Sequence, residues 1–352
     1  TNQAAWIVEP KSYPFVIKAS PMPAPKEGEV AIRVHAVGIN IVDNGVQKRG
    51  IWAKPEDYPT ILGSDVAGIV TEVGPGHTRF TKGDRVVASV SAVVQHDSRH
   101  GGFQLHTTAV EPLIAKLPDN IDFTDAAVLP LPFITAIYSL FMKETLGLDL
   151  PKAGTQPKST GKTLVVWGGS SAVGMNAIQT AKAAGYTVAA TSSPHNFDVL
   201  KALGADYTFD YHQESAVDDI VSTLSGHGDS AGVFAAMLGL DFSTMVQSLL
   251  KMAGLAGKLG GKKHLATVVP PGILPPLPLP EGVEMSFNTC RDVARSETGQ
   301  AIWVDWVPGA LADGSLKCKP EAQVVGRGLE SVQEVVDLLA KGVSARKLVV
   351  DL

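Results

Sequence analysis

From residue 163 onward, short apolar segments alternate with segments of helical pattern, and this alternation constrains the fold more than any other feature of the chain. Strands that are apolar along their whole length belong in a parallel sheet that helices cover on both faces. The alternation therefore predicts a doubly wound α/β sheet. Its predicted strands are 163–167, 186–191, 206–210 and 231–237, and its predicted helices are 173–184, 196–203 and 217–224.

The first third of the chain shows the period-two alternation of apolar and polar residues that is typical of half-buried strands. Glycine turns separate these segments, which predicts a barrel-like unit of short strands. We expect helices over 126–129 and 133–146 after it, and a helix over 329–340 before a last strand over 346–352. The predicted strands of the barrel-like unit are 29–37, 66–73 and 85–94.

The composition excludes several classes of protein. The chain of 352 residues is 45% hydrophobic and 18% charged, so it can bury a core, and its net charge of -5 offers no basic surface for nucleic acid. Its two cysteines are too few for a disulfide framework, and we expect the reducing cytoplasm. The most apolar run, 129–141, is short and carries two prolines, so no membrane span is predicted.

The segment 167–174, WGGSSAVG, joins a predicted strand to a predicted helix. At such a junction glycines allow a tight turn, and the N–H groups of the helix start can meet the pyrophosphate of a dinucleotide. The motif G-x-G-x-x-G is not literally present, and the alternative is an ordinary glycine-rich turn. Its place in an alternating series of strands and helices favours a dinucleotide site.

The end of the next predicted strand bears on the choice of cofactor. Enzymes that bind NAD place an acidic residue about 20 residues after the glycines, where it accepts a hydrogen bond from the ribose 2′-hydroxyl. Here the segment 191–196 reads TSSPHN and has no carboxylate. Its polar groups leave room for a 2′-phosphate and can donate to it, which predicts NADPH. Ser193 and Asn196 also suit the cap of the following helix, and the two roles are compatible.

With these motifs the chain resembles the medium-chain dehydrogenases/reductases from end to end. The resemblance implies a partly open, GroES-like β-barrel catalytic domain over 1–130 and 304–352, and a Rossmann NADPH-binding domain over 131–303. The active cleft is then expected between the two domains, at the carboxyl ends of the parallel strands. The resemblance rests on GINIVD at 38–43, LGSDVAG at 62–68, GDRV at 83–86, LGAD at 203–206, FDY at 209–211 and KLVV at 347–350.

The zinc alcohol dehydrogenases of this family carry a cysteine in the segment that corresponds to 40–43, a His-Glu pair at the place of Ser64 and Asp65, and four cysteines in a structural lobe. This chain has none of these residues. Zinc needs three or four N, S or O ligands to stay bound, so the resemblance implies a metal-free enzyme. His96, His100 and His106 lie close in sequence, but their spacing fits no ligand pair on a helix and indicates a polar loop.

Within the zinc-independent branch, the segments 193–198 and 209–211 resemble the stand-alone, trans-acting enoyl reductases of fungal polyketide synthases. Those enzymes use NADPH to reduce the α,β double bond of a polyketide thioester on an acyl carrier protein. The resemblance implies this activity, with a polyketide synthase as partner. Two alternatives stay open: a quinone or alkenal reductase that acts on free small molecules, and an NADPH-binding partner of a megasynthase that has no turnover.

The resemblance also implies the contacts of the cofactor. Asn40 and Thr135 are candidates for orientation of the substrate only, with water as the expected source of the α-proton. The contact residues are Ser170, Ser171, Ala172 and Val173 for the pyrophosphate; Ser193, His195, Asn196 and Tyr211 for the 2′-phosphate and adenosine end; Thr135, Val268 and Val269 for the nicotinamide; Ser344 and Ala345 closing over the cofactor; and Val42, Asp43, Asn44 and Gly45 lining the cleft from the barrel side.

Two further expectations follow. The related reductases often have a lysine where Gly45 stands, and Lys48 and Arg49 are expected to be solvated surface charges rather than substitutes for it. We expect a monomer, because the predicted edge strand 265–269 runs into prolines, which have no N–H to pair with a second chain. The alternative is that these prolines lie wholly in the following loop and leave the edge free.

Overall fold

The strands of the chain fall mainly into two large sheets, one mostly antiparallel and one parallel. The computed structural model describes residues 1–76, 79–238 and 241–352, with only the backbone of Arg291. The chain divides into an N-terminal unit, residues 1–131 with 311–352, and a central unit, residues 132–310. Each unit has its own sheet and its own hydrophobic core.

The strands of the described residues are, in chain order, β1 (Asn2–Ile7), β2 (Val16–Ser20), β3 (Glu29–Gly38), β4 (Thr60–Ile61), β5 (Asp65–Val73), β6 (Arg85–Ser89), β7 (His106–Val110), β8 (Ile114–Lys116), β9 (Thr163–Trp167), β10 (Thr187–Ser192), β11 (Tyr207–Asp210), β12 (Ser230–Ala235), β13 (His264–Thr267), β14 (Glu284–Ser286), β15 (Glu321–Arg327) and β16 (Arg346–Asp351).

The α-helices of the same residues are α1 (Ile41–Arg49), α2 (Ala92–Gln95), α3 (Phe123–Ala126), α4 (Pro130–Phe141), α5 (Ala172–Ala183), α6 (Phe197–Ala202), α7 (Ala216–Leu224), α8 (Phe242–Lys258), α9 (Glu297–Gly299), α10 (Val307–Asp313) and α11 (Val332–Leu339). A π-helix, Gln300–Trp306, joins α9 to α10. Short 3-10 helices are Pro55–Asp57, Ser98–His100, Pro194–Asn196, Cys290–Arg295 and Leu329–Ser331.

The N-terminal unit is built on a sheet of order β15-β16-β3-β5-β6-β8, with β7 paired to β3 and a smaller sheet β2-β1-β4. The pairs are antiparallel except for β15 with β16. Alternate residues of β3 and β5 pack into the core with residues of the last strand, among them Ile32, Val34, Val66 and Leu348. This is the predicted barrel-like unit, which the last strand of the chain completes.

The central unit holds a six-stranded parallel sheet of order β11-β10-β9-β12-β13-β14. All five residues of β9 are buried, as expected for an apolar strand at the centre of such a sheet. The chain runs outward from β9 to β11 and then returns across β9 to β12. The strand order therefore reverses beside β9, which is where ligands bind in open α/β sheets.

Several sequence expectations fail locally. The predicted strand 85–94 ends at Ser89, because Ser91 caps α2 by accepting a hydrogen bond from the N–H of Val94. The helix predicted over 133–146 ends at Phe141, and the one predicted over 126–129 lies at 123–126. The strand predicted as the edge of the parallel sheet ends at Thr267 and is not the edge, since the chain returns after the prolines and adds β14 beside β13.

The helical stretch Phe123–Phe141 is long and apolar enough, by length and composition alone, to cross a membrane. The sequence predicts no membrane span, because it has no uninterrupted apolar run of sufficient length and its most apolar run is 129–141. In the structure 72% of the apolar window is buried inside the protein. Burial of this kind is typical of a core helix.

Candidate functional site

The glycine turn after β9 is tied to the end of β10. Gly168 has a φ of 85°, in the left-handed region that favours glycine, and its N–H donates to Oγ1 of Thr191 at 3.0 Å. The N–H of Gly169 donates to the carbonyl of Thr191 at 2.7 Å. A Cβ on Gly174 would lie 2.3 Å from the carbonyl oxygen of Gly168. The turn therefore admits only glycine at this contact, and it forms the cradle that close approach of a dinucleotide pyrophosphate requires.

The start of α5 supplies donors for an anion. Ser171 is the N-cap residue: its Oγ accepts from the N–H of Gly174 at 2.9 Å and donates to the carbonyl of Gly168 at 2.8 Å. Its hydroxyl is thus engaged in the helix cap. The N–H groups of Ala172 and Val173 lie in the first turn, where a helix offers them no carbonyl of its own. These N–H groups fit a pyrophosphate, and the assignment of residues 170–173 to it remains a prediction.

At the end of β10 the structure brings two predicted contact residues together. The hydroxyls of Ser193 and Tyr211 lie 3.5 Å apart, at the carboxyl ends of the adjacent strands β10 and β11. Asn196 is buried, whereas His195 is exposed. Ser193 makes no side-chain cap to the 3-10 helix that follows. This edge therefore carries hydroxyl and imidazole groups, which suit a phosphate monoester.

Asn288, which the sequence analysis does not single out, connects the residues of the central unit that are predicted to face the nicotinamide. Its buried side-chain Nδ2 donates to the carbonyl of Thr135 and to Oγ of Ser139, each at 2.9 Å. Its backbone N–H donates to the carbonyl of Val269 at 2.9 Å. Asn288 thus links α4, which carries Thr135, to the chain just beyond β13, which carries Val268 and Val269. The segment after the prolines has no strong pattern, so only the fold identifies this residue.

In the N-terminal unit, Asn40 belongs to a buried polar cluster with Asp43, Asp65 and Lys347. Nδ2 of Asn40 donates to Oδ2 of Asp65 at 2.8 Å, and the ammonium of Lys347 contacts Oδ1 of Asn40. The same ammonium lies 2.9 Å from Oδ2 of Asp65. Both ends of the Asn40 side chain are therefore engaged within the protein, and its contact with a substrate remains a prediction.

Asp43, at the first turn of α1, is fully enclosed in this cluster. Its Oδ2 accepts from the N–H of Asn40 at 2.8 Å, and its Oδ1 accepts from the N–H of Gly63 at 3.2 Å. Burial raises the pKa of Asp43 to about 7, against the opposing effect of these N–H donors and of Lys347. Asp43 accordingly fixes the start of α1, and its contact with a cofactor remains a prediction.

The remaining residues of the predicted barrel-side contact lie along α1. Val42 packs against the core of the unit, and Asn44 has a buried Nδ2 atom without a hydrogen-bond partner in the described residues. A Cβ on Gly45 would lie 3.0 Å from Cδ1 of Ile51, so a longer side chain at this position would require Ile51 to move. Lys48 forms a surface ion pair with Asp337 at 2.9 Å, as expected for a solvated charge.

Ser344 and Ala345 lie in the turn before β16. Ser344 is exposed and Ala345 is half-buried. Ala345 has a φ of 49°, in the left-handed region that residues other than glycine rarely adopt. The turn that leads into Lys347 is therefore conformationally constrained, and the closure of this turn over a cofactor remains a prediction.

Comparison with known proteins settles the family. Residues 26–119 match the family model described as the alcohol dehydrogenase GroES-like domain, and residues 172–271 match the one described as zinc-binding dehydrogenase. A dehydrogenase of Aspergillus niger is 41% identical over 353 residues, which cover 100% of this chain and 99% of that protein. The chain belongs to the medium-chain dehydrogenase/reductase family.

Two further relatives of this medium-chain dehydrogenase/reductase are informative. A trans-enoyl reductase of Aspergillus japonicus is 36% identical over 355 residues, covering 100% of this chain and 97% of that protein. An alcohol dehydrogenase superfamily protein from Novosphingobium aromaticivorans has a solved structure that aligns with a TM-score of 0.77 at 23% identity, with both chains covered at 100%. The predicted fold, a GroES-like domain with a Rossmann-type parallel sheet, is confirmed.

The zinc that the name of one family model implies does not fit the residues of this medium-chain dehydrogenase/reductase. At the expected position Asp65 accepts from the N–H of Leu131 at 2.6 Å and from Asn40, and the ammonium of Lys347 lies beside it. A second cation at this carboxylate would meet a positive charge that is already buried. Within 1–76, 79–238 and 241–352 no group of three or more His, Cys, Asp or Glu side chains could hold a metal ion.

The histidines that lie close in sequence have separate partners. Nδ1 of His96 lies 2.7 Å from Oδ1 of Asp57, whereas Nδ1 of the buried His100 lies 3.1 Å from the carbonyl of Thr108. The region is therefore only partly the polar loop that the sequence predicts: His96 caps the end of α2, His100 lies buried in the 3-10 helix Ser98–His100, and His106 begins β7.

Proposed function

We propose that this medium-chain dehydrogenase/reductase is an NADPH-dependent reductase of activated C=C bonds, acting on an α,β-unsaturated polyketide thioester. The observation that carries the proposal is the pair of hydroxyls at the carboxyl edge of the parallel sheet, Ser193 and Tyr211, 3.5 Å apart. It is supported by a relative of 36% identity over the whole chain that is named a trans-enoyl reductase.

The residues of the central unit have distinct tasks in this proposal. The glycine cradle and the first N–H groups of α5 bind the pyrophosphate. Ser193, His195, Asn196 and Tyr211 bind the 2′-phosphate and the adenosine end. Asn288 fixes Thr135 relative to Val269 through the hydrogen bonds described above. These contacts orient the cofactor, and orientation of the reacting groups is the main contribution of the protein to such a hydride transfer.

NADPH, when bound, supplies the hydride that adds to the β-carbon of the substrate. Negative charge then develops on the thioester oxygen, and the site must present donors to it. We propose that water delivers the proton to the α-carbon, so that the thioester becomes saturated, and that Thr135 and Asn40 orient the reacting groups. No metal takes part, because the buried ammonium of Lys347 already neutralises Asp65.

Three further properties belong to the proposal. The thioester is carried by an acyl carrier protein of a polyketide synthase, the enzyme acts in the cytoplasm, and it is a monomer. Light scattering at micromolar concentration tests the last point and should give a mass near 36.9 kDa. A stable mass of twice that value would contradict the monomer.

The activity is tested by NADPH consumption with two kinds of acceptor, the N-acetylcysteamine thioester of crotonic acid and simple quinones. Faster turnover of the thioester, with the saturated thioester as product, supports the proposal. Faster turnover of the quinones favours a quinone reductase instead. NADPH binding with no turnover of either acceptor, or of a crotonyl group on a carrier protein, favours a partner without catalytic activity.

The choice of cofactor has its own experiment. NADPH should bind at least about tenfold more tightly than NADH, which corresponds to about 1.4 kcal/mol. Ser193→Asp should erode or reverse this preference, because it places a negative charge beside the 2′-phosphate, whereas Ser193→Ala serves as the uncharged control. Equal affinity of the unmodified protein for the two cofactors would contradict the choice of NADPH.

A further inference from the structure

A carboxylate ends the strand beside the proposed 2′-phosphate site, although the segment 191–196 has none. Asp210 is the last residue of β11, and the register of the parallel strands pairs it with Ser192, the last residue of β10. Ser193 is the next residue along the chain. A negative charge at this edge would repel a phosphate monoester that Ser193 and Tyr211 bind. The proposed preference for NADPH therefore requires that the charge of Asp210 be compensated.

The turn that follows β11 provides this compensation in part, because its hydrogen-bond donors spread the negative charge of a carboxylate that stays ionised. The backbone N–H of His212 donates to Oδ1 of Asp210 at 3.0 Å, and Nδ1 of the same histidine lies 2.8 Å from Oδ1. Nε2 of Gln213 donates to Oδ2 at 3.2 Å. Both carboxylate oxygens are thus engaged by residues of the turn. These hydrogen bonds, the one from the His212 N–H foremost, hold the pKa of Asp210 below its usual value.

The imidazole of His212 is held in place by its neighbour. Its ring lies against the ring of Tyr211, with centroids 4.1 Å apart and an angle of 31° between the planes. The hydroxyl of Tyr211 in turn lies 3.5 Å from Oγ of Ser193. The histidine therefore contacts the carboxylate through one ring nitrogen and, through its face, the tyrosine of the proposed phosphate site. An exposed side chain is ordered here by two contacts.

We propose that His212 is a specificity-determining residue for the cofactor, which shields the 2′-phosphate of NADPH from the carboxylate of Asp210. Nothing in the chemistry of NADH requires this shield, because a 2′-hydroxyl has no charge. The shield rests on the proposed function, since it has a purpose only if the enzyme uses NADPH. Its test measures binding alone and is independent of turnover.

The experiment is a double-mutant cycle on the full chain, with the dissociation constants of NADPH and NADH measured by nicotinamide fluorescence. His212→Ala removes the side-chain donor, and Asp210→Asn removes the charge. His212→Asn keeps a side-chain N–H near the position of Nδ1. His227→Ala is the matched control, because this exposed histidine also contacts a tyrosine ring, Tyr207, with centroids 5.6 Å apart, and does not contact Asp210 in the described residues.

His212→Ala should raise the Kd of NADPH about fivefold to tenfold and leave that of NADH within about twofold. Adding Asp210→Asn should restore NADPH binding to within about twofold of the unmodified protein, and His212→Asn should bind NADPH nearly normally. The penalty of His212→Ala should shrink at about 0.5 M salt, because dissolved ions screen the repulsion between the carboxylate of Asp210 and the 2′-phosphate. His227→Ala should change neither constant.

Three results would overturn the shield: an unchanged preference in His212→Ala, an equal loss of affinity for both cofactors, or a double variant that binds NADPH as weakly as His212→Ala. All three results apply only if the unmodified protein binds NADPH more tightly than NADH. If the unmodified protein shows no such preference, the proposed cofactor is wrong, and this is measured before any variant is made. The two failures are therefore distinct.

Discussion

The ammonium of Lys347 lies 2.9 Å from Oδ2 of Asp65, and the two side chains are only 6% and 0% exposed. Lys347 belongs to the last strand of the chain, whereas Asp65 begins β5. Oδ1 of the same aspartate accepts from the N–H of Leu131 at the start of α4. Within the N-terminal unit, Asp65 thus joins the last strand of the chain to the backbone of Leu131.

We expect Lys347→Met to destabilise the protein by about 3–5 kcal/mol, because it leaves the charge of Asp65 buried without a cation. The double variant with Asp65→Asn should recover much of this loss. In it the amide oxygen of residue 65 can still accept from the N–H of Leu131. Its N–H groups can donate to Oδ1 of Asn40 once the Asn40 amide turns by 180°, because Nδ2 of Asn40 faces residue 65 in the unmodified protein and its Oδ1 no longer contacts a lysine. Chemical denaturation measures both changes.

The matched control is Lys182→Met, which breaks a lysine–aspartate contact of similar length at the surface. Lys182 lies 2.6 Å from Asp206, and the two side chains are 44% and 33% exposed. This variant should change the free energy of unfolding by at most about 1 kcal/mol. A Lys347→Met protein as stable as the Lys182→Met protein would contradict the view that the buried pair holds the unit together.

The stability of the protein should depend on pH through Asp43. Its pKa is raised from 3.8 to about 7 on folding, so the folded state holds a proton that the unfolded state releases. The contribution of this group is fully present below about pH 4 and is lost as the pH rises to about 7. The free energy of unfolding, taken relative to that of Asp43→Asn, should therefore fall by about 2–3 kcal/mol between about pH 5 and pH 8.

Because other titrating groups are common to both proteins, the difference between them isolates Asp43. A difference that stays constant between about pH 5 and pH 8 would mean that the N–H donors of Asn40 and Gly63 outweigh burial and keep the carboxyl ionised in the folded state. Urea denaturation at the two pH values decides between these outcomes. The readout is the pH dependence, so a constant loss of stability in the variant does not affect it.

The glycine cradle gives a third prediction. Gly174→Ala places a Cβ 2.3 Å from the carbonyl oxygen of Gly168 and 2.8 Å from Cα of Gly169, so the turn must shift. We expect the Kd of NADPH to rise more than about tenfold, because the helix start moves away from the pyrophosphate. Gly254→Ala in α8 is the control: nothing lies within 4 Å of the added Cβ, and alanine should stabilise the helix by about 0.5–1 kcal/mol.

The parallel sheet could be predicted from the sequence because its pattern is local. Strand β9 and helices α5 and α7 fall within one residue of their expected bounds, and they bring Ser170–Val173 to the helix start that the glycine turn implied. Helix α8 was not predicted, since its sequence carries Gly254 and Gly257, which weaken a helical pattern. Its buried face packs on the core of the central unit, and this packing stabilises a helix that its local sequence does not favour.

The pairing of polar residues could not be predicted in the same way. Lys347 and Asp65, or Asn288 and Thr135, come together only because the chain returns to a strand or helix formed much earlier. No spacing rule connects such residues in a single sequence. The contact of Asp210 with His212 is local, but its importance depends on the register that places β11 beside β10. The sequence accordingly predicts a cofactor edge on β10 and β11, but it does not predict the polar contacts that organise this edge.

Metal analysis provides a fourth prediction. The purified protein should carry no stoichiometric zinc, and a chelator should leave its reductase activity unchanged. The reason is that Asn40 and Asp65 are bonded to each other and to the ammonium of Lys347, so they offer no ligand set for a dication. About one zinc per chain, together with loss of activity on chelation, would overturn this expectation.

The last prediction concerns Asn288, which links Thr135 to Val269. Asn288→Ala removes the hydrogen bonds from Nδ2 to the carbonyl of Thr135 and to Oγ of Ser139. If Thr135 and Val269 face the nicotinamide, the reactive end of the cofactor loses its orientation while the adenosine end stays bound. We expect kcat to fall at least about tenfold and the Kd of NADPH to change less than about threefold.

Ser139→Ala is the matched control for this prediction, because it removes one acceptor of Asn288 and leaves the bonds to Thr135 and Val269 in place. Its kcat should change less than about threefold. Asn288→Asp keeps the shape of the side chain but turns a carboxylate oxygen toward the carbonyl of Thr135, and it should lower kcat like the alanine variant. If Asn288→Ala weakens NADPH binding and leaves kcat unchanged, Asn288 binds the cofactor and does not orient it. If Ser139→Ala lowers kcat as much as Asn288→Ala does, the bond of Asn288 to Thr135 is not the one that matters.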